Sequence, residues 1–400
     1  MSWKKEIDNA ASTDVASQTL GISEAFNIHI TKPYAAGDYL YYFGGIDDVW
    51  LGLWGIIRAN AGDWIEITLH NLFDAKHPVP YFDYPSVPLD LKHKPSMRVS
   101  INPQFLSYDP VCDSGINIGY NNREQTVGAG ESKKYLWRAD KEYGACLLQS
   151  FGDLRNHRYH GLFGAIIIEP PNALWYKNSS ISKALHEEET VITAPGIESF
   201  RECVVFIQNG IRMLDNNGDI VKTTVETDVE SPDHEDTGEK GYNYRSERFA
   251  NRLKKDNRIS KIFNSKIHGD PATPLFKAYS GERIIFRTMM PADKPRNTGF
   301  CIHGTEWKAQ PDDPYSKLTP MQGAISIGNT FNMELKDGAP CPGDYLYRSG
   351  SLKWDVESGM WGILRVMKQS IGCKCRNLCH KAFVCSSSFA EKLNSKKSSK

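Results

Sequence analysis

The chain has 400 residues, with 48 Lys and Arg against 48 Asp and Glu, and is 40% hydrophobic and 24% charged. That length suits two domains of ordinary size, each with enough apolar content for a core. A formal net charge of zero gives no overall attraction to nucleic acid or anionic membrane. No apolar run reaches the roughly 20 residues of a membrane helix, and the opening Met1-Ser2-Trp3-Lys4-Lys5 lacks the apolar stretch of a secretory leader. The expectation is a soluble, cytoplasmic protein with no nucleic-acid or membrane partner.

Taken in chain order, the predicted elements are short strands separated by Gly, Pro, Asn and Asp. Residues 26–58 carry Phe26-Asn27, Gly37-Asp38-Tyr39-Leu40-Tyr41 and Trp54-Gly55-Ile56-Ile57-Arg58. Ile65, Ile67 and Leu69 alternate with Trp64, Glu66, Thr68 and His70, which predicts a half-buried strand entered from Gly62-Asp63. The run at 128–132, Gly-Ala-Gly-Glu-Ser, predicts a polar turn and not a phosphate loop. Leu162 to Glu169 reads as a continuous apolar strand stopped by Pro170. Glu226 to Glu239 holds seven acids and no Lys or Arg, and Lys240 to Lys261 is rich in both. The two blocks together predict a long solvated loop. Arg283 to Thr288 repeats the half-buried pattern.

Residues 331–365 then repeat the first segment: Phe331-Asn332, Gly343-Asp344-Tyr345-Leu346-Tyr347 and Trp361-Gly362-Ile363-Leu364-Arg365. The second copy closes a domain, whereas the first runs straight into the next strand system. One strand cannot close one sandwich and open another, because its backbone groups would be claimed twice. Residues 1–54 are therefore expected to be the remnant of a lost domain, either loosely packed or paired with another chain. Residues 55–176 and 185–368 are expected to form two β-sandwich domains, and 369–400 a Cys-rich, Ser/Lys tail whose last residues, Lys392 to Lys400, are disordered.

Several blocks resemble multicopper oxidases, a family built from cupredoxin domains. Gly161-Leu162-Phe163-Gly164-Ala165 through Pro170 resembles a domain-closing strand of that family. Phe300-Cys301-Ile302-His303-Gly304 resembles its late histidine motif, and Gly359-Met360-Trp361-Gly362-Ile363 its last closing strand. Gln310-Pro311-Asp312-Asp313-Pro314, with the segments from Gln322 and Gly343, resembles the large manganese-oxidising branch. The resemblance spans residues 20–368 and implies an all-β fold of two cupredoxin-like Greek-key β-sandwich domains, with copper as cofactor.

Such oxidases hold one copper with two His and a Cys, and a three-copper cluster with His-x-His pairs. Set against those motifs, the late histidine positions fall on Thr298, Cys301 and His303. The His-Cys-His, His and Met positions fall on Ser349, Gly350, Ser351, Asp355 and Met360. An earlier pair falls near Phe151 and Asp153, and the earliest near His77. Most of the imidazoles and the thiolate are thus replaced.

The candidate metal ligands that remain are His157, His160 and His303, which the family's domain interface would bring together. Histidines at strand ends are also commonly satisfied by local hydrogen bonds. Cys146 lies 11 and 14 residues before His157 and His160, a spacing that does not suit a copper thiolate, and reads as a buried apolar cysteine. The tail run Cys373, Cys375, Cys379 and His380, with Cys385 beyond, offers thiolates for Zn²⁺ or Cu(I), or equally cross-linking thiols. The acids Asp228, Glu230, Asp233, Glu235 and Asp236 would suit Mn²⁺ or Ca²⁺ but lack the spacing of a calcium loop.

Two functions follow. One is a copper-dependent oxidoreductase, extending to metal-ion oxidation, whose sites a companion cupredoxin subunit or a second copy would complete. The other is a catalytically silent cupredoxin scaffold that serves assembly.

Overall fold

The computed structural model describes residues 56–73, 96–154, 156–159, 161–176, 189–211, 239–292 and 297–368, and the backbone of three short strands before them. The strands β1 (Trp3–Glu6), β2 (Thr13–Val15) and β3 (Asn27–Ile30) form an antiparallel sheet in the order β2-β1-β3, within a unit of their own over residues 1–40. His160, His77, the acidic run at 226–236 and the tail candidates Cys373, Cys375, Cys379 and His380 lie outside the described residues.

The rest is all-β, as the alternation predicts. In chain order come β4 (Ile56–Asn60), β5 (Trp64–His70), β6 (Asn102–Pro103), β7 (Ser107–Tyr108), β8 (Ser132–Arg138), β9 (Gly144–Gln149) and β10 (Phe163–Glu169). They make one sandwich of two sheets, β4-β10-β9-β6 and β5-β8-β7. Strand β5 buries Ile65 and exposes Trp64, Glu66 and His70, the half-buried pattern read from its sequence. The run at 128–132 is a turn into β8, with Glu131 N donating to Gly128 O at 3.0 Å.

Thirteen further strands follow, eleven of them in the second sandwich and β18 with β19 as a separate two-stranded pair: β11 (Leu174–Tyr176), β12 (Glu189–Thr193), β13 (Phe200–Ile211), β14 (Glu239–Tyr242), β15 (Leu275–Tyr279), β16 (Ile284–Ala292), β17 (Thr298–Ile302), β18 (Trp307–Lys308), β19 (Leu318–Thr319), β20 (Met321–Ile325), β21 (Thr330–Glu334), β22 (Gly343–Ser349) and β23 (Trp361–Met367). One sheet runs β11-β12-β13-β16-β21 with β14 on β13, the other β15-β23-β22-β17-β20. In both sandwiches the closing strand lies parallel to an earlier one, β10 on the opening strand β4 and β23 on β15. The repeated Gly-Ile motif therefore has two uses. Ile56–Arg58 opens the first sandwich at a sheet edge, whereas Ile363–Arg365 lies between two strands.

Period-two geometry also explains how the sandwiches meet. On β10, Ile166 and Ile168 face the first core with Cys146 and Leu148, while Ala165 and Ile167 face outward. On β13, Cys203, Val205 and Ile207 face the second core, while Val204 and Phe206 face outward. The two outward rows, with Ala145, Leu147, Phe163 and Met289, close on each other as one apolar seam. Full burial is worth roughly 1.5–3 kcal/mol for each large apolar side chain. Strand β16 departs from the half-buried expectation for this reason. Residues 284–290 are all buried, since one face meets the second core and the other meets the seam.

The basic block also departs from expectation. It folds into most of β14, the short helix α2 (Phe249–Leu253) and a 3-10 turn (Ile259–Lys261), with α1 (Asn156–Tyr159) before it in the chain and α3 (Ser265–His268) just after it. Lys240 and Arg252 are buried. Their charges are matched: Lys240 Nζ lies 3.7 Å from Asp355, and Arg252 bonds Glu247 at 2.9 Å while stacking 4.6 Å from the Trp361 ring. Among the described residues no helix is long and apolar enough to cross a membrane.

Candidate functional site

A buried polar group sits inside the second sandwich where β17, β22 and a π-helical turn (Leu352–Val356) converge. Thr298 opens β17 and Ser349 ends β22, so both hydroxyls reach the same end of the sheet. The turn then brings Asp355 back over them, and the next residues, through Met360, return the chain to β23. Backbone bonds fix this return: Met360 N donates to Asp355 O at 2.9 Å and Ser349 N to Met360 O at 3.1 Å.

Asp355 Oδ2 accepts from Ser349 Oγ at 2.5 Å and from Thr298 Oγ1 at 2.8 Å, and the two hydroxyls lie 2.5 Å apart. The Lys240 ammonium approaches the other oxygen, Oδ1, at 3.7 Å. Lys240 is delivered by β14, whose hairpin turns at Asn243 and Tyr244, both in the left-handed region. Asn243 fits there because its side chain completes the sheet, accepting from Phe206 N at 2.7 Å and donating to Val204 O at 2.9 Å. Gly359, at φ +121, lets the chain pass the same hairpin, since a Cβ there would lie 1.9 Å from Ser246 Oγ. Two residues after Lys240 on β14, Tyr242 lies edge-on to Phe300 at 5.9 Å and to Tyr347 at 5.3 Å.

Thr298, Ser349, Asp355 and Met360 are the positions that the resemblance would assign to copper ligands, so their donor chemistry decides whether copper fits. Cu(I)/Cu(II) cycling needs thiolate and imidazole. Here two hydroxyls and a hard carboxylate converge, with an ammonium already against the carboxylate. Residue 350 is glycine, with its Cα packed 3.6 Å from where a Gly299 Cβ would stand. These residues do not fit copper.

His157 lies in α1, fully buried, with both ring nitrogens engaged. Ser150 Oγ is 2.8 Å from Nδ1 and the Ser96 carbonyl 3.0 Å from Nε2. A carbonyl only accepts, so Nε2 carries the proton and Nδ1 accepts from Ser150. Burial holds the imidazole below its ordinary pKa, against the raising effects of Ser96 and Asp153. His303 follows β17, exposed, and its Nε2 accepts from Arg348 Nε at 2.8 Å. Partial burial and the Arg348 charge lower its pKa. The lone pairs a metal would need are taken, Nδ1 of His157 by a hydroxyl and Nε2 of His303 by a guanidinium. Among the described residues no three His, Cys, Asp or Glu side chains are grouped to hold a metal ion. Cys146 is completely buried in the first core, and burial pushes its thiol up to about 12, as a buried apolar cysteine requires.

Sequence reasoning missed Lys240 and a second buried charged group. Arg58 on β4, Glu169 on β10, Glu202 on β13 and Arg287 on β16 meet at the edge of the seam, all at most 7% exposed. The signal for Arg287 was a charged residue inside an otherwise apolar strand.

No family model matches the chain, and no curated protein does. Among solved structures it is similar to a multicopper oxidase at 15% identity and TM-score 0.44, covering 78% of this chain and 77% of that one. It is similar to copper nitrite reductase from Nitrosomonas europaea at 18% identity and TM-score 0.42, over 78% of this chain and 82% of that one. A third likeness is the multicopper oxidase mgLAC, at 12% identity and TM-score 0.42, over 81% and 79%.

Proposed function

We propose that this chain is a cupredoxin-type scaffold, a two-sandwich module for assembly and not a copper oxidase in its own right. One observation carries the reading. The buried group Thr298–Ser349–Asp355–Lys240 fills, with hydroxyls, a carboxylate and an ammonium, the place where the resemblance would put a soft-ligand copper. An ammonium next to the carboxylate supplies the positive charge that a metal would otherwise bring, and cross-links β14 to the turn after β22 in its place.

Copper loading of the full chain tests this. Purified protein is incubated with Cu(II), dialysed and assayed for metal by mass spectrometry and for O₂ uptake with a phenolic or Mn²⁺ reductant. The Cys373→Ser/Cys375→Ser/Cys379→Ser variant is carried alongside. The expected result is no retained copper in the variant and no O₂ uptake in either protein. One or more equivalents of copper retained by the variant, with a visible thiolate or oxidase spectrum, overturns the reading.

The second reading is a copper-dependent oxidoreductase, extending to metal-ion oxidation, with ligands completed by a companion subunit or a second copy. The soft-donor run Cys373, Cys375, Cys379 and His380 favours it. Copper bound by the full chain and lost in the triple variant would place that metal in the tail.

A further inference from the structure

The four charged side chains at the seam are unequally supplied with donors. Glu202 accepts from Arg58 Nε at 3.0 Å and Nη2 at 2.7 Å, and from Arg287 Nε at 3.0 Å. Glu169 has no donor within hydrogen-bond range on either oxygen. Its nearest cations are Arg58 Nε at 3.9 Å and Arg287 Nη2 at 3.7 Å. Two guanidinium groups have thus committed to one of two adjacent carboxyls, in a place buried from bulk solvent. An ionised carboxylate left unbonded in such a place is costly, and a proton on Glu169 removes that cost while giving Glu202 another donor.

The group spans both sandwiches, Arg58 and Glu169 from the first, Glu202 and Arg287 from the second. Beside it Asn332 of β21 donates to Tyr143 O at 3.0 Å and accepts from Ala145 N at 3.2 Å. Gln104 donates to Gly328 O at 2.6 Å across the same seam. Glu142 and Cys146 are the other titratable groups that face Arg287 from the first sandwich, and the Cys146 thiol stays neutral.

We propose that Arg58, Glu169, Glu202 and Arg287 form a proton-operated lock between the two sandwiches: a proton on Glu169 seats β10 on β13 and β16, and its loss loosens the seam. The inference is independent of the scaffold reading and goes beyond it. Burial first, and then the Glu202 charge, push Glu169 from 4.5 up to about 9. For Glu202, burial opposes ionisation but Arg58 and Arg287 prevail and hold it low.

The direction of the pH effect follows. Between about 4.5 and about 9 the folded chain holds the Glu169 proton and the unfolded chain does not. Stability from this proton is fully present at the acid end and falls as pH rises through the window, by up to about tenfold in the unfolding constant per pH unit.

Urea unfolding of the full chain and of Glu169→Gln, which carries the neutral form permanently, is measured from pH 5 to 9. The ratio of wild-type to variant unfolding constants is expected to climb with pH, approaching tenfold per unit. Amides of β9 and β16 are expected to exchange faster at high pH in the wild type than in the variant. Parallel profiles overturn the lock. Should Glu169→Gln fail to fold, infrared spectroscopy of the wild type at pH 8 decides. Glu189, raised by burial to about 7, has by then mostly released its own proton. A protonated-carboxyl C=O band at pH 8 that fades above pH 9 supports the lock, and no such band overturns it.

Discussion

The two buried polar groups solve the same problem in opposite ways. Inside the second sandwich, Asp355 meets two hydroxyls on one oxygen and an ammonium at the other. At the seam, Glu202 takes both guanidinium groups and Glu169 takes none. The lesson is that buried charge is tolerated either when every acceptor finds a donor or when one member gives up its charge. The first arrangement cross-links permanently, while the second remains responsive to the surrounding proton activity.

Substitutions sharpen this contrast. The largest effect belongs to Glu202→Ala, which leaves Arg58 and Arg287 buried without their shared carboxylate. Its expected cost is about 3–5 kcal/mol in urea unfolding. Asp355→Asn keeps an acceptor for Thr298 and Ser349 but withdraws the charge facing Lys240, with an expected cost of about 2 kcal/mol. A cost below that of a surface substitution would mean that the ammonium is not held by Asp355. Thr298→Ala leaves the Ser349–Asp355 bond in place, so calorimetry should show a loss of only about 1 kcal/mol. The smallest change is expected from Arg283→Ala. Its bonds to Glu334, at 2.7 and 2.9 Å, lie in partly exposed surroundings. They contribute about 0–1 kcal/mol, and more of it at low salt than at high salt.

Much of the fold was legible because alternation is local. The β5 pattern of Ile65 against Trp64, Glu66 and His70 needs only its own seven residues. Strand β16 was misread because its second face is covered by β9 and β10, which no local pattern reveals. Lys240 and Arg252 were read as solvated for the same reason. The partner of Lys240 lies on the turn at Leu352–Val356, and the Arg252 guanidinium stacks on Trp361 of β23. The absence of soft ligands at Thr298, Ser349 and Asp355 was visible in sequence, but the group that stands there was not. His157 shows the same boundary: its Ser150 bond spans seven residues, its Ser96 bond 61. The Arg58–Glu202 contact spans 144 residues, so only the folded chain shows it.

Gly144 has a consequence of its own. It opens β9 at φ +65, and a Cβ there would stand 2.3 Å from Asn332 Oδ1 and 2.6 Å from Arg287 Nη1. The first sandwich thus touches the second through bare backbone at this point, with no room for even a methyl group. Position 144 is a built-in wedge point, where Gly144→Ala would prise the halves apart mechanically by pressing on the Asn332 amide and the Arg287 guanidinium.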